Sequence, residues 1–186
     1  MALANVMLRD CVVMKKGDTI TCVADETLLA QGWKGGAFLC FTDALIIDGK
    51  AVPKVTVSDG IHMGPMALYG SDEVEDTRTS YTGQYKTYKY VQCTYGNQFF
   101  LTRNFETESY FSRTSSATLT DKYGNAHDVL NQTAFSLEYK AGQLLYISER
   151  GYFTNEKICS ESIQWGIVFS IPSTENSNFL GVANTF

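Results

Sequence analysis

Short apolar runs separated by turn residues constrain this chain more than any other feature. Val12-Val13-Met14, Thr19-Ile20-Thr21-Cys22-Val23-Ala24, Val55-Thr56-Val57 and the segment from Gln164 to Ile171 are rich in β-branched and aromatic residues, with glycine, asparagine and aspartate between the runs. Apolar spacing of helical period is weak almost everywhere. There is no low-complexity tract, fixed repeat or Ser/Pro-rich linker, and the only prolines are Pro53, Pro65 and Pro172. Many short strands with few helices predict an all-β fold, a sandwich or barrel-like β domain with short helical turns. The 186 residues suit a single domain, 1–186, able to close a core without staples. The looser stretch 61–135 is read as part of that domain or as an insertion or subdomain within it.

Local signals place several elements. Lys16-Gly17-Asp18 predicts a turn joining Val12–Met14 to Thr19–Ala24 as a β-hairpin. Asp25 to Gly32 predicts one or two helical turns, with Asp25 as N-cap and Gly32 as the stop. Phe38 to Phe41 and Ala44 to Ile47 are expected to be buried, and Asp48-Gly49 to turn the chain into a strand at Val55–Val57. Tyr95-Gly96-Asn97-Gln98 predicts a hairpin turn and Tyr123-Gly124-Asn125 another. Ala134 to Tyr139, Leu144 to Ser148 and Gln164 to Ile171 read as strands.

Charge excludes some functions. A net charge of −5 with no basic run beyond Lys15-Lys16 argues against nucleic-acid binding, which needs clustered Lys and Arg to neutralise phosphates. Apolar residues make up 44% and charged residues only 19%, so much of the polar surface is Ser, Thr, Asn, Gln and Tyr, a composition suited to protein contact. No membrane-spanning run is present, and Met1 to Asp10 lacks the basic and apolar regions of a secretory signal, so synthesis in a host cytoplasm is expected. Accordingly, Asn131-Gln132-Thr133 is read as a chance match to a glycosylation acceptor. Cys11, Cys22, Cys40, Cys93 and Cys159 are widely spaced, and the expectation is buried reduced thiols with no metal and no disulfide framework.

No catalytic set assembles from the sequence. The two histidines, His62 and His127, are not near a nucleophile signature, and a surface or loop-bracing role is the reading preferred for His62. Gly32, Gly35 and Gly36 do not form a phosphate loop. The acidic run Asp72, Glu73, Glu75 and Asp76 does not fit a calcium loop; it reads as a solvated loop and, after that, as a contact for a partner's basic patch. The aromatic band contains Tyr85, Tyr88, Tyr90, Tyr95, Phe99, Phe100, Phe105, Tyr110 and Phe111. Its members are candidates for core packing or partner contact, with Tyr85, Tyr88, Tyr90, Phe99 and Phe100 singled out, and sugar stacking as the alternative use. No enzyme activity and no cofactor are expected.

The C-terminal quarter is the most specific. Gly142-Gln143-Leu144-Leu145-Tyr146-Ile147-Ser148-Glu149-Arg150-Gly151-Tyr152-Phe153-Thr154 predicts a strand, a tight turn with Gly151 at positive φ, and a second strand. Gly166-Ile167-Val168-Phe169-Ser170-Ile171-Pro172-Ser173 predicts a strand that Pro172 ends, and Phe179-Leu180-Gly181-Val182 follows. Leu144, Tyr146, Gly166, Val168, Leu180 and Val182 read as an alternation suited to small closed sheets. Over residues 142–186 this order resembles the C-terminal part of tailed-bacteriophage capsid decoration (cement, or head-stabilisation) proteins. There a G-x-x-L-Y-V-S-x-x-G-x-x-T hairpin precedes a G-I-V-x-x-x-P-S strand and an F-L-G-V ending; Ile147 stands here at the valine position. The resemblance implies a virion protein on the capsid surface, a dimer or trimer in contact with the major capsid protein, holding neighbouring subunits together without a reaction. A phage tail or glycan-binding receptor protein is the alternative reading, and a hydrolase the third.

Overall fold

Where the sequence predicts a first hairpin, the chain bends from one sheet into another. In the computed structural model, which describes residues 6–8, 11–15, 17–71, 77–81, 85–96 and 98–184, β1 (Val6–Leu8) and β2 (Cys11–Lys15) lead into β3 (Asp18–Ala24). β2 and β3 do not pair with each other. β2 pairs with β1 and with Gln98–Thr102, while β3 pairs with Tyr85–Tyr95. Those two partners are also consecutive, so a two-stranded antiparallel ribbon runs from Cys11↔Thr102 to Val23↔Tyr90 and passes from one sheet to the other at its middle. Strands that switch sheets through a bend make the corners of β-sandwiches. Gly17 permits this corner, because a Cβ there would lie 2.1 Å from the Tyr95 carbonyl oxygen. The same geometry replaces the second expected hairpin at Tyr95–Gln98.

The remaining elements follow in order. They are α1 (Glu26–Gln31), β4 (Leu39–Ile47), β5 (Lys50–Val57), β6 (Met66–Ala67), β7 (Thr77–Tyr81), β8 (Tyr85–Tyr95), β9 (Gln98–Thr102), α2 (Tyr110–Thr114), β10 (Thr118–Thr120), β11 (Ala126–Asp128), β12 (Leu144–Ile147), β13 (Phe153–Thr154), β14 (Gly166–Ser170) and β15 (Leu180–Asn184). Sheet one has the order β1-β2-β9-β15-β14-β12-β13; sheet two has the order β4-β5-β3-β8-β6, with β7 also paired to β8. β10 and β11 form a separate hairpin. The protein is therefore mostly β, as its runs of β-branched residues require. Within the stretch 61–135, β8 and β9 supply one strand to each large sheet.

α1 is a local product of its sequence. The Asp25 carboxylate accepts the Leu28 amide at 2.8 Å, and Gly32 stops the helix at φ 73°. Leu28 drops from this helix into a core with Cys22, Val55, Val91 and Cys93 beneath sheet two. A second core, made of Phe38, Met66, Phe100, Leu145, Phe153, Trp165, Val168, Leu180 and Val182, lies under sheet one. Trp165 sits at its centre, edge-on to Phe38, Phe100 and Phe153 with ring centroids 4.2–6.4 Å apart. A third, smaller cluster of Ile61, Tyr110, Leu119, Val129, Ile158 and Cys159 gathers the long connections.

Three expectations about phase and extent are corrected. Asp48 and Gly49, at φ 51° and 74°, do turn β4 into β5, but Ile46 in β4 is 70% exposed and Ala44 is exposed. In β12 the buried residue is Leu145, not Leu144 or Tyr146, so the alternation of this strand is shifted by one. Ala134 to Tyr139 forms no strand; only Ser136 makes an isolated bridge, to Glu108.

Candidate functional site

The predicted contact residues divide between core and surface. Phe100 is fully buried in the core of sheet one, and Tyr90 is 9% exposed beside Val23 and Ile47. Tyr88 is half-buried against that same cluster, Phe99 is 40% exposed, and the Tyr85 side chain lies outside the described residues. Asp72, Glu73, Glu75 and Asp76 also lie outside the described residues. Elsewhere in the band, Phe105 packs edge-on against Tyr139 at 5.4 Å and Tyr110 is buried in the third cluster.

What the sequence reading missed is a surface made by register. Gln98, Phe100 and Thr102 of β9 turn inward, so Phe99 and Leu101 face out. Cross-strand pairing then sets Phe99 opposite Ala183, Ala183 opposite Ile167, and Ile167 opposite Leu144. Four central strands thus carry one outward row of apolar side chains, in which Ala183 is covered by its larger neighbours at 4% exposure. Phe169, beside it, lies over Gly181, where a Cβ would come within 2.8 Å of its ring, and contacts Phe99 with centroids 6.2 Å apart. Phe99, Leu144 and Phe169 remain 40–44% exposed. The local signal for this face was present as alternation in β9 and β14, but which strands stand side by side depends on pairing across the whole chain.

The groups able to do chemistry are held in bracing roles. Asp59 accepts the amides of Ile61, His62 and Lys122 at 2.8–3.0 Å and the His62 ring Nδ1 at 2.7 Å. Burial opposes its charge, but these hydrogen bonds hold its carboxyl below the ordinary carboxylate range. The Cys40 thiol donates to the main-chain oxygen of His62 at 3.0 Å and lies 3.4 Å from Asp59. Burial and the neighbouring Asp59 push this thiol up to about 12, so it stays protonated. Cys22, Cys93 and Cys159 are also buried free thiols. His127 bridges Asp121 (3.1 Å) and Glu161 (3.4 Å) across the β10–β11 hairpin. Among the described residues no cluster of His, Cys, Asp and Glu suits a metal ion, and no helix is long and apolar enough to cross a membrane.

A cleft of about 370 Å³ opens where α1 and the loop after it meet the β12–β13 turn. Leu28, Phe38, Leu39 and Val57 form its apolar lining, with Lys34, Glu149, Arg150 and Tyr152 also on its wall. Gly151 brings the turn close to Phe38: its φ is 76°, the Phe38 amide donates to its carbonyl at 2.9 Å, and an added Cβ would meet the Phe38 oxygen at 2.3 Å. Behind this turn, Glu106 is 1% exposed and receives a forked pair of hydrogen bonds from Arg150 and the Ser148 hydroxyl at 2.7 Å. Arg113 joins Glu149 at 3.0 Å and approaches Glu106 at 3.7 Å. These pairs fix the turn and commit its charges to one another. Ser58 is similarly committed, donating to the Ser148 carbonyl at 2.8 Å.

No family model, curated protein or solved structure matches this chain.

Proposed function

We propose that this chain is a structural protein of a tailed-phage virion that binds the outside of the capsid and stabilises contacts between capsid subunits. The observation that supports it most is the outward apolar row Phe99–Ala183–Ile167–Leu144 with Phe169 beside it, three of whose four strands carry the resemblance. Contiguous exposed apolar surface marks interaction sites. Strands of a sheet also offer a rigid, flat platform that needs little ordering on contact. The segments that resemble decoration proteins are the β12–β13 hairpin, β14 and β15, so the resemblance and the apolar face fall on one sheet. Each molecule then contributes a modest contact, and the shell gains strength from the number of copies.

The test is addition of purified protein to phage heads lacking it, followed by sedimentation and a heat challenge. Saturable binding at a fixed ratio to capsid subunits, with slower DNA release on heating, is the expected result. Heads that neither bind the protein nor gain heat resistance would overturn the reading.

A further inference from the structure

β3 and β5 run parallel but pair only at Val23↔Lys54 and Ala24↔Val55. In the same register, Thr19 to Cys22 should lie beside Lys50 to Pro53, yet no pairing continues there. Two hydrogen bonds explain where it stops. The Val55 carbonyl accepts the Asp25 amide at 2.9 Å, so Val55 turns its main-chain groups toward β3. Alternation along the strand turns Pro53 and Ala51 the same way. On the other side, the Gln92 carbonyl accepts the Leu68 amide at 2.8 Å, toward β6, so Val91 and Cys93 turn toward β3. Their partners Cys22 and Ile20 therefore bond to β8, and Thr19, Thr21 and Val23 direct their main-chain groups at β5. The next rung of the ladder needs an amide at Pro53 to meet the Thr21 carbonyl. Proline has none, and the strands part.

The result is a wedge-shaped groove of about 660 Å³, lined by Thr19, Ile20, Thr21, Lys50, Ala51 and Val52, with Tyr90 and Ile47 also on its wall. Each wall is a strand edge, paired on its far side with β8 or β4; on the near side, among the described residues, β3 and β5 pair only with each other, and only at Val23 and Ala24. We propose that this wedge is a docking slot for an extended segment of a partner polypeptide, which adds as a strand along β3. Only another extended backbone offers donors and acceptors at the spacing of both Thr19 and Thr21. The side chains set its pattern. Ile20 and Cys22 turn toward the core under sheet two, while Thr19 and Thr21 are exposed on the opposite face. A bound strand would place apolar residues on the first side and polar ones on the second. This holds whether or not the chain sits on a capsid.

The probe is a synthetic peptide of roughly seven alternating valines and threonines with lysines at both ends, long enough to span Asp18 to Cys22 at about 3.3 Å per residue. In the free protein the amides of Thr19, Thr21 and Ala51 should exchange quickly with deuterium. Saturating peptide should slow exchange at Thr19 and Thr21 at least tenfold, and a peptide N-methylated at alternate amides should bind at least tenfold more weakly. Pro53→Val restores the missing donor; it should extend the β3–β5 ladder, protect the new amide and weaken peptide binding at least tenfold. The proposal is overturned if the peptide leaves those amides unprotected, or if N-methylation or Pro53→Val leaves binding unchanged. It is equally overturned if the amides are already protected without peptide; dependence of that protection on protein concentration would identify a second copy as the occupant.

Discussion

Gly151 and His127 show how much of this fold hangs on single positions. Gly151 combines a left-handed backbone with a contact to the Phe38 carbonyl that leaves no room for a Cβ. Gly151→Ala therefore meets backbone strain and a backbone clash together, and a loss of at least about 2 kcal/mol is expected in denaturant unfolding. An unchanged midpoint would mean that the turn can move away from Phe38. His127 responds to pH. Its hydrogen bond with Asp121 raises its pKa against the opposing effect of burial, with Glu161 adding to the rise. A group whose folded pKa is raised stabilises fully below its unfolded value, here near 6.5, and loses that contribution as pH climbs through the folded value. The parent should thus lose more thermal stability than His127→Gln between about pH 6 and pH 9. Equal slopes for the two proteins would remove His127 from the balance. Asp121 works in the opposite window. Although burial opposes its charge, hydrogen bonds from Asn125, His127 and Tyr123 hold its carboxyl well below the ordinary range, and its contribution is lost only as the solution becomes strongly acidic.

At the level of elements, locality decides what the sequence reveals. α1, the Asp48-Gly49 turn and the β12–β13 turn at Gly151 were legible because each is fixed by a few neighbouring residues: a capping carboxylate, two positive-φ positions, a glycine stop. The corner at Gly17 was not, since Lys16-Gly17-Asp18 looks the same whether the flanking strands fold back on each other or run on into separate sheets. Partner choice there depends on β8 and β9, about eighty residues away along the chain. β12 failed for another reason: Leu144, Leu145 and Tyr146 are all suited to burial, and only the register with Gly166 selects Leu145. The bracing behind the β12–β13 turn was also invisible, because Glu106, Arg113 and Arg150 come together from separate segments. This element carries its own prediction. Arg150→Ala leaves the buried Glu106 carboxylate with Ser148 and a distant Arg113, and a cost of about 1–3 kcal/mol follows from removing the half-exposed cation that satisfies a buried carboxylate. Glu106→Gln in the Arg150→Ala background should restore part of that loss, as a double-mutant cycle would show. A cost within about 0.5 kcal/mol for Arg150→Ala would mean that Arg113 suffices.

For the whole molecule, the question is why a protein with four hydrophobic clusters among its described residues leaves large apolar side chains along one sheet face in water. Covering side chains that are already 40–44% exposed returns roughly 1–2 kcal/mol each. Three such residues, Phe99, Leu144 and Phe169, lie on or beside one sheet face, enough to anchor a contact of moderate strength without affecting folding. The cores do not use them, so charge placed there should separate binding from stability. The double substitution Leu144→Lys and Phe169→Lys should keep the melting temperature within a few degrees of the parent, because surface changes away from packed features cost little. Binding to phage heads should fall at least tenfold, since each desolvated lysine charge opposes an apolar partner surface and about 1.4 kcal/mol is already a factor of ten. Loss of both folding and binding would show that Phe169 supports the sheet through its cover over Gly181; Leu144→Lys alone, away from that contact, then decides whether the face binds. Binding unchanged in a folded double variant would rule out this face and leave the β3–β5 wedge, on the other sheet, as the place where a partner attaches.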